Sequence, residues 1–150
     1  SWVECTSATI QGLLEFKEQY PEYRKAEIEQ AVVEGLELIL SKQRADGSWY
    51  GGWGVCFTYG TMFGIEACAR IKGLGIYDDT KLEKVMAKAC EFLVKHQKAD
   101  GGWGESFESC STKEYVEAYT SQVINTAWSL LGLIAADYKD ETVIERGMEL

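Results

Sequence analysis

One pattern occurs twice in this chain and restricts its architecture more than any other feature. Residues 43–49 read Gln-Arg-Ala-Asp-Gly-Ser-Trp, and residues 97–103 read Gln-Lys-Ala-Asp-Gly-Gly-Trp. Both copies follow Gln-x-Ala-Asp-Gly-x-Trp, and 54 residues separate position 43 from position 97. A fixed period of this size is typical of an array of similar supersecondary units, each of which buries its apolar face against a neighbour.

Apolar residues at helical spacing surround both copies of the pattern. The helices predicted from this spacing cover 3–19, 24–42 and 61–72, followed by three that we expect to open after Thr-x-x-Glu-like capping boxes at 80–83, 111–114 and 142–145. Pro21 ends the first of them. The helix after 111–114 is apolar nearly all round, through residues 123–134, and is expected to lie inside the assembly of helices. The glycine- and aromatic-rich stretch 46–60 is predicted to be a loop.

The repeat also predicts how the helices are arranged. When the two copies are aligned, Gly35 pairs with Ala89, and the last helix continues the series at Gly147. We therefore expect two complete repeats, at about 31–49 and 85–103, and a third that is truncated at the C-terminus. The predicted fold is all-α: residues 1–150 form a partial α/α barrel domain, a toroid of the (α/α)6 type built from inner and outer helices.

Composition excludes several classes of function. The formal net charge of −9 argues against a nucleic-acid surface, which needs clustered Lys and Arg. No apolar run is long enough to span a bilayer. The five cysteines are odd in number and contain no Cys-x-x-Cys pair, so we expect reduced thiols and neither a disulfide framework nor a zinc site.

The repeated pattern resembles the QW repeat of triterpene cyclases. Residues 51–61, Gly-Gly-Trp-Gly-Val-Cys-Phe-Thr-Tyr-Gly-Thr, are similar almost letter for letter to a segment of oxidosqualene cyclases, and 2–8 and 101–110 resemble further stretches of that family. The resemblance covers essentially the whole chain, which is identified as an internal part of the C-terminal half of a larger enzyme. Residues 119–128 and 145–147 resemble the lanosterol-forming members more than the plant-type cyclases.

The resemblance implies an enzyme that protonates the epoxide of (3S)-2,3-oxidosqualene and guides a cationic cyclisation to a sterol precursor, with lanosterol as the expected product. It implies no cofactor and no metal, and it places the complete enzyme peripherally on the endoplasmic reticulum membrane or on lipid droplets. The family's proton donor is an aspartate in an Asp-Cys-Thr-Ala-Glu-type segment, which this sequence lacks. These 150 residues alone are therefore expected to be inactive.

The same resemblance implies roles for individual residues. Trp53 is the cavity tryptophan that faces the ring-forming cation, because an indole attracts a cation by about 0.5 to 2 kcal/mol without acting as a base. Trp53 as a connector residue packed in the core is the alternative. Cys5 is expected to hydrogen-bond the catalytic aspartate, with a simple buried cysteine as the alternative. The remaining substrate-binding residues implied by the resemblance are Cys56, Phe57, Tyr59 and Met62, for each of which core packing is the alternative.

Other polar and aromatic residues have structural interpretations. The four that define the repeat are expected to tie outer helices together, through Gln amides bonded to the backbone of a neighbouring helix: Gln43, Trp49, Gln97 and Trp103. Glu4 is expected to be solvated rather than to serve as the acid. Asp78 and Asp79 are interpreted as helix N-terminal charges rather than as a magnesium motif. A metal or triad role for His96, the only histidine, is not expected.

Several functions remain open on the sequence alone. Within the family they are cycloartenol synthase, another triterpene synthase, or squalene-hopene cyclase. Outside it, an α/α toroid could be the β-subunit of a protein prenyltransferase, whose zinc the single histidine argues against, or a non-catalytic binding module. A binding module has no evident need for the aromatic connector from Trp53 to Tyr59.

Overall fold

The computed structural model describes residues 2–150, which contain helices and no β-strand, so the predicted all-α fold is confirmed. The helices are α1 (Val3–Gln19), α2 (Lys25–Ser41), α3 (Cys56–Ile71), α4 (Asp79–Lys95), α5 (Glu108–Thr112), α6 (Val123–Ala135) and α7 (Glu141–Met148). The first two begin and end within one residue of their predicted bounds, because their apolar periodicity is unbroken up to the segment around Pro21.

The long helices form two layers. Consecutive helices pair as α1 with α2, α3 with α4 and α6 with α7, while α3 also packs against both α1 and α6. Helices α1, α3 and α6 therefore form one row, and α2, α4 and α7 lie behind it. This alternation is the arrangement expected of inner and outer helices, and the buried core lies between the two rows.

Aspartates, rather than the predicted threonines, cap two of the helices. The Asp78 carboxylate accepts the N–H of Thr80 at 2.9 Å, and the Asp140 carboxylate accepts the N–H of Thr142 at 3.1 Å. An Asp side chain at the N-cap satisfies a free N–H of the first turn and also favours the positive helix end. Helices α4 and α7 consequently start one residue before the predicted threonines.

The capping box predicted at 111–114 is wrong. Helix α5 ends at Thr112, and Lys113 adopts a left-handed conformation with φ of 57°. The Thr112 hydroxyl accepts the N–H of Glu114 at 3.3 Å, so it bonds across a helix end instead of opening a helix. The apolar helix α6 begins later, at Val123.

The prediction that 46–60 is entirely loop is also wrong, because α3 begins at Cys56. The cause lies far away in the sequence. The Glu105 carboxylate accepts the N–H groups of Cys56, Phe57 and Thr58 at 2.8 to 2.9 Å and the Thr58 hydroxyl at 2.8 Å. These bonds satisfy the free donors of the first turn, so the helix extends into the glycine-rich segment.

Helix α6 lies in the inner row and is exposed on one side. Leu130 and Leu133 are buried, but four apolar side chains are exposed: Val123, Ile124, Leu131 and Ile134. Within residues 2–150, α6 contacts α3, α4 and α7, all of which pack against its other side. The position of α6 in the inner row agrees with its predicted place inside the assembly, and enclosure of its exposed side by the rest of the assembly stays a prediction.

Candidate functional site

The two glutamines of the repeated pattern each join one outer helix to the next. Gln43 Nε2 donates to the Gly47 carbonyl at 3.0 Å and to the Val85 carbonyl of α4 at 2.9 Å. Gln97 Nε2 repeats this arrangement, and its second bond reaches the Val143 carbonyl of α7 at 2.8 Å. Each amide therefore closes its own turn and fastens that turn to the following outer helix.

The two tryptophans of the pattern are buried and hydrogen-bonded in the same way. Trp49 Nε1 donates to the Ile39 carbonyl at 2.7 Å, and Trp103 Nε1 donates to the Leu93 carbonyl at 2.6 Å. Both indoles have 1% or less of their surface exposed. A buried indole needs a partner for its only polar group, and the last turn of the preceding helix supplies one.

The glycine of each pattern lies against the next outer helix. Gly47 and Gly101 have φ of 91° and 92°. A Cβ added at either would lie 2.2 Å from a backbone carbonyl oxygen, that of Lys88 or that of Arg146. The turn therefore requires glycine for its conformation and for its close approach. Lys88 on α4 and Arg146 on α7 therefore occupy equivalent positions, each against the glycine of the preceding pattern.

The turn that follows the first pattern presents an exposed tryptophan. Residues 50–55 connect Trp49 to α3, and Trp53 on this turn is 79% exposed. This exposure excludes the interpretation of Trp53 as a connector residue packed in the core of this chain. Its backbone N–H donates to the Tyr59 hydroxyl at 2.6 Å, so α3 holds the turn at the residue that carries the exposed indole.

Glu4 is not solvated as expected, because it contacts the same turn. Its Oε1 accepts the N–H of Gly52 at 2.7 Å and the Tyr59 hydroxyl at 2.9 Å. Its Oε2 is buried and has no hydrogen-bond partner among the described residues. Glu4, Gly52, Trp53 and Tyr59 thus form a single hydrogen-bonded group that joins α1, the turn and α3.

Tyr59 lies at the centre of this group. It is buried, with its ring 6.0 Å from that of Phe63 and 5.4 Å from that of Trp128. Burial raises the pKa of Tyr59, and its hydrogen bond to Glu4 acts in the same direction. The phenol is therefore neutral near pH 7 and donates its proton to the Glu4 carboxylate while it accepts the Trp53 N–H.

The other predicted substrate-binding residues are buried. Cys56 and Phe57 have no exposed surface, and Met62 retains 5%. Cys56 Sγ donates to the Gly54 carbonyl at 3.2 Å, and burial raises the pKa of this thiol to about 11. The Phe57 ring packs edge-on against Tyr115 at 6.3 Å. Contact between these side chains and a ligand stays a prediction, and it would require neighbouring side chains to move.

Cys5 and Trp53, the two residues predicted to take part in catalysis, do not lie together. Cys5 is exposed on the first turn of α1 and, with Thr9, Ala31 and Gly35, lines a groove between α1 and α2. Within residues 2–150, no hydrogen bond joins Cys5 to the group around Trp53. The role of Cys5 beside a catalytic aspartate stays a prediction, which needs a residue outside this chain.

Glu105 is the residue of this region that sequence analysis missed. Its carboxylate is fully buried at the N-terminus of α3, where it accepts hydrogen bonds from four donors. The positive end of the helix favours its negative charge. No local pattern indicates this contact, because Glu105 lies 47 residues from Thr58 in the sequence. Phe107, two residues further on, is 75% exposed and lies beside Gly54 of the tryptophan-bearing turn.

Three further ionisable residues considered in the sequence, Asp78, Asp79 and His96, have structural contacts. Asp78 caps α4, and Asp79 accepts the N–H of Gly73 at 3.0 Å, as expected of helix N-terminal charges. His96 follows α4, with its ring 4.0 Å from that of Tyr115. Among residues 2–150, no group of three or more His, Cys, Asp or Glu side chains lies close enough to hold a metal ion.

Comparison with known proteins gives close matches over nearly the whole chain. Residues 5–150 match the family described as Squalene-hopene cyclase C-terminal domain. The lanosterol synthases of Mus musculus and Homo sapiens are 51% and 49% identical over 148 residues, which cover 99% of this chain and 20% of each relative. The terpene cyclase/mutase ntnI of Nectria sp is 46% identical, with the same coverage. The chain thus spans about a fifth of the length of these relatives.

Proposed function

Since the chain belongs to the squalene-hopene cyclase C-terminal domain family, a family of α/α toroids, we propose that the complete protein is an oxidosqualene cyclase. It converts (3S)-2,3-oxidosqualene to lanosterol. Residues 1–150 form part of one α/α barrel domain, with two complete repeats and part of a third, and contribute to the wall of the substrate cavity. The proton donor belongs to another part of the protein, because this sequence contains no Asp-Cys-Thr-Ala-Glu-type segment.

The exposed indole of Trp53 is the observation in this structure that supports the proposal best. A cationic cyclisation needs groups that attract positive charge without removing a proton, and an aromatic face does this. Trp53 is largely exposed, yet its turn is held from two helices by Glu4 and Tyr59. An exposed ring on a fixed backbone can stabilise charge at a defined position.

The complete protein is further proposed to bind the surface of the endoplasmic reticulum membrane or of lipid droplets. The proposed substrate is too apolar to reach the enzyme through water. Within residues 2–150, no helix is both long and apolar enough to cross a bilayer. Flotation of the complete protein with phospholipid vesicles tests this association; recovery of all the protein from the bottom fraction would contradict it.

Product analysis of the complete purified protein tests the main proposal. Incubation with (3S)-2,3-oxidosqualene is expected to give lanosterol, identified by gas chromatography and mass spectrometry. A different cyclised triterpene would retain the cyclase and overturn the product, an outcome made relevant by the 46% identity to the Nectria terpene cyclase. Unconsumed substrate would overturn the proposal. The 150-residue chain alone is expected to give no product.

Substitution of Trp53 tests its role in the complete protein. Trp53→Ala is expected to lower the turnover rate by about thirtyfold, or to release prematurely terminated products, because a desolvated cation–π contact contributes about 2 kcal/mol. Trp53→Phe keeps an aromatic face and should retain more activity. Tyr119, which is 99% exposed, provides the control Tyr119→Ala. A normal rate and product profile for Trp53→Ala would contradict the cation-facing role.

A further inference from the structure

We propose that Glu4 is a positioning residue for Trp53: it fixes the turn that carries the indole through one carboxylate oxygen, which binds the Gly52 N–H and the Tyr59 hydroxyl. This inference rests on the proposed function in one respect, namely that Trp53 faces the substrate. Glu4 does not donate the proton in this scheme. It acts only through Gly52 and Tyr59.

The hydrogen bonds around Glu4 lead directly to Trp53. Glu4 Oε1 accepts the Gly52 N–H at 2.7 Å and the Tyr59 hydroxyl proton at 2.9 Å, and the Tyr59 oxygen accepts the Trp53 N–H at 2.6 Å. Two consecutive peptide groups of the turn are therefore held, one by Glu4 itself and one by the tyrosine that Glu4 orients. Without the Glu4 acceptor, the Tyr59 hydroxyl is free to rotate and the Gly52 N–H loses its partner.

Close packing limits the turn to this position. A Cβ on Gly51 would lie 2.7 Å from Tyr59 Cζ, and a Cβ on Gly52 would lie 3.1 Å both from Glu4 Oε1 and from the Trp2 ring. The backbone of the turn thus lies directly on the two side chains that bind it. A change at Glu4 displaces the backbone of Gly52 and therefore that of the next residue, Trp53. Gly52 has no side chain that could absorb the displacement.

The exposed indole depends on its backbone for its orientation. Trp53 is 79% exposed, so side-chain packing within this chain does little to fix the ring. A displacement of about 1 Å in a group that must meet a transition state can lower a rate by about a hundredfold. Groups that hold a functional side chain in place therefore affect chemistry without touching the substrate.

The choice of substitution separates positioning from acid catalysis. Glu4→Gln keeps an acceptor oxygen for Gly52 and Tyr59 but provides no acidic proton, whereas Glu4→Leu removes the acceptor at similar side-chain size. In the complete protein, Glu4→Leu is expected to lower kcat by about tenfold or more, with prematurely terminated products, and Glu4→Gln to stay within about threefold of wild type. Glu15→Leu is the matched control, since Glu15 is an exposed glutamate on the same helix.

A second measurement observes Trp53 without any substrate. The complete protein is labelled with 5-fluorotryptophan, and the Trp53 fluorine resonance is assigned by its loss in Trp53→Phe. Glu4→Leu is expected to shift or broaden this resonance, while Glu4→Gln and Glu15→Leu leave it in place. Tyr59→Phe removes only the bridging hydroxyl and keeps the ring contacts with Phe63 and Trp128, so it should also move the resonance and serves as the test if Glu4→Leu does not fold.

Each outcome decides between the roles. An unmoved Trp53 resonance in both Glu4→Leu and Tyr59→Phe would overturn the positioning role. Loss of activity in Glu4→Gln equal to that in Glu4→Leu would also overturn it, in favour of a requirement for the carboxyl group itself. If the wild-type protein forms no cyclised product, the proposed function fails, and the fluorine resonances still decide whether Glu4 positions Trp53.

Discussion

The turn that ends at Trp49 and the turn that ends at Trp103 make the same hydrogen bonds, whereas the segments after them differ. In both turns the indole N–H donates to the last turn of the preceding helix, and the Trp backbone N–H donates to a threonine of the following inner helix, Thr61 or Thr126, at 3.1 or 3.0 Å. Six residues, 50–55, then lead to α3, but nineteen, 104–122, lead to α6.

The longer segment, 104–122, supplies contacts to the first repeat, including the N-terminal cap of α3. Glu105 caps α3 of the preceding repeat, Tyr50 donates to the Cys110 carbonyl at 3.4 Å, and Glu114 forms an ion pair with Arg44 at 3.0 Å. The two turns make equivalent contacts, because the same pattern meets equivalent groups of the following helices. The start of α3, close to Trp53, instead depends on the next repeat, as expected of an array in which neighbours supply the missing contacts.

Among substitutions that distinguish the segment 104–122 from the segment 50–55, removal of the Glu105 carboxylate should lower the free energy of unfolding most. Glu105→Ala leaves three buried N–H groups and the Thr58 hydroxyl without their acceptor, and is expected to lower the free energy of unfolding by about 3 kcal/mol or more. Denaturant unfolding of the complete protein measures this loss. Glu105→Gln, which keeps one acceptor oxygen, should cost less.

Glu117 provides the control for that experiment. It pairs with Glu105 in an isolated antiparallel bridge through the backbone, and its side chain is 49% exposed. Glu117→Ala is expected to change the free energy of unfolding by less than about 1 kcal/mol. A loss at Glu105 no larger than that at Glu117 would show that α3 does not need its cap from the following segment.

Substitutions at the two tryptophans test how far the turns are equivalent. Trp49→Phe and Trp103→Phe each remove an indole N–H bond and part of a buried ring, so each should lower the free energy of unfolding by about 2 kcal/mol. The two losses should agree within about 0.5 kcal/mol because the environments match. A clear difference, measured by denaturant unfolding, would mean that the segment after Trp103 also supports its turn.

The smallest expected difference between the repeats is in the dependence of stability on pH. His96, packed on Tyr115 of the longer segment, stands where the first repeat has the exposed Lys42. Burial lowers the pKa of His96, and the charge of Lys95 adds to this effect. The unfolded chain therefore binds the proton more strongly, so the stability that His96 contributes is full above about pH 6.5 and falls as the pH is lowered.

Thermal unfolding of the wild type and of His96→Phe measures this contribution. The midpoint of the wild type should fall more than that of His96→Phe between about pH 7.5 and about pH 5.5, because phenylalanine keeps the ring contact and does not titrate. Identical slopes in the two proteins would rule out a contribution from His96. Carboxylates titrate in both proteins and cancel in the comparison.

Helix positions could be predicted where the signal is local. Periodic apolar residues and Pro21 locate α1 and α2, because amphipathic faces and a missing N–H act within a few residues. Helix α4 was located but its cap was not, since Asp78 and Thr80 are both suitable capping residues and only the geometry selects the aspartate. The start of α3 could not be found locally, because its cap arrives from Glu105.

In the candidate site, too, some residues could be predicted from the sequence, whereas contacts with distant residues could not. The resemblance in residues 51–61 drew attention to Trp53 and Tyr59, which the structure brings together through a hydrogen bond. Glu4 was expected to be solvated, because a carboxylate near a helix start usually is, and its contact with Tyr59 spans 55 residues. The buried ring of Phe57 likewise contacts both the nearby Tyr50, at 5.4 Å, and the distant Tyr115, at 6.3 Å.

By itself, the sequence determined the repeat, the all-helical fold, the family and the turns that tie one outer helix to the next, because periodicity and a seven-residue pattern act over short distances. Only the tertiary structure decided where α3 begins, which aromatic residues stay exposed and what holds Trp53. Those features depend on the carboxylates of Glu4, which is partly buried, and of Glu105, which is fully buried; both satisfy backbone N–H groups about fifty residues away. A buried donor requires an acceptor but places no restriction on where in the chain that acceptor originates.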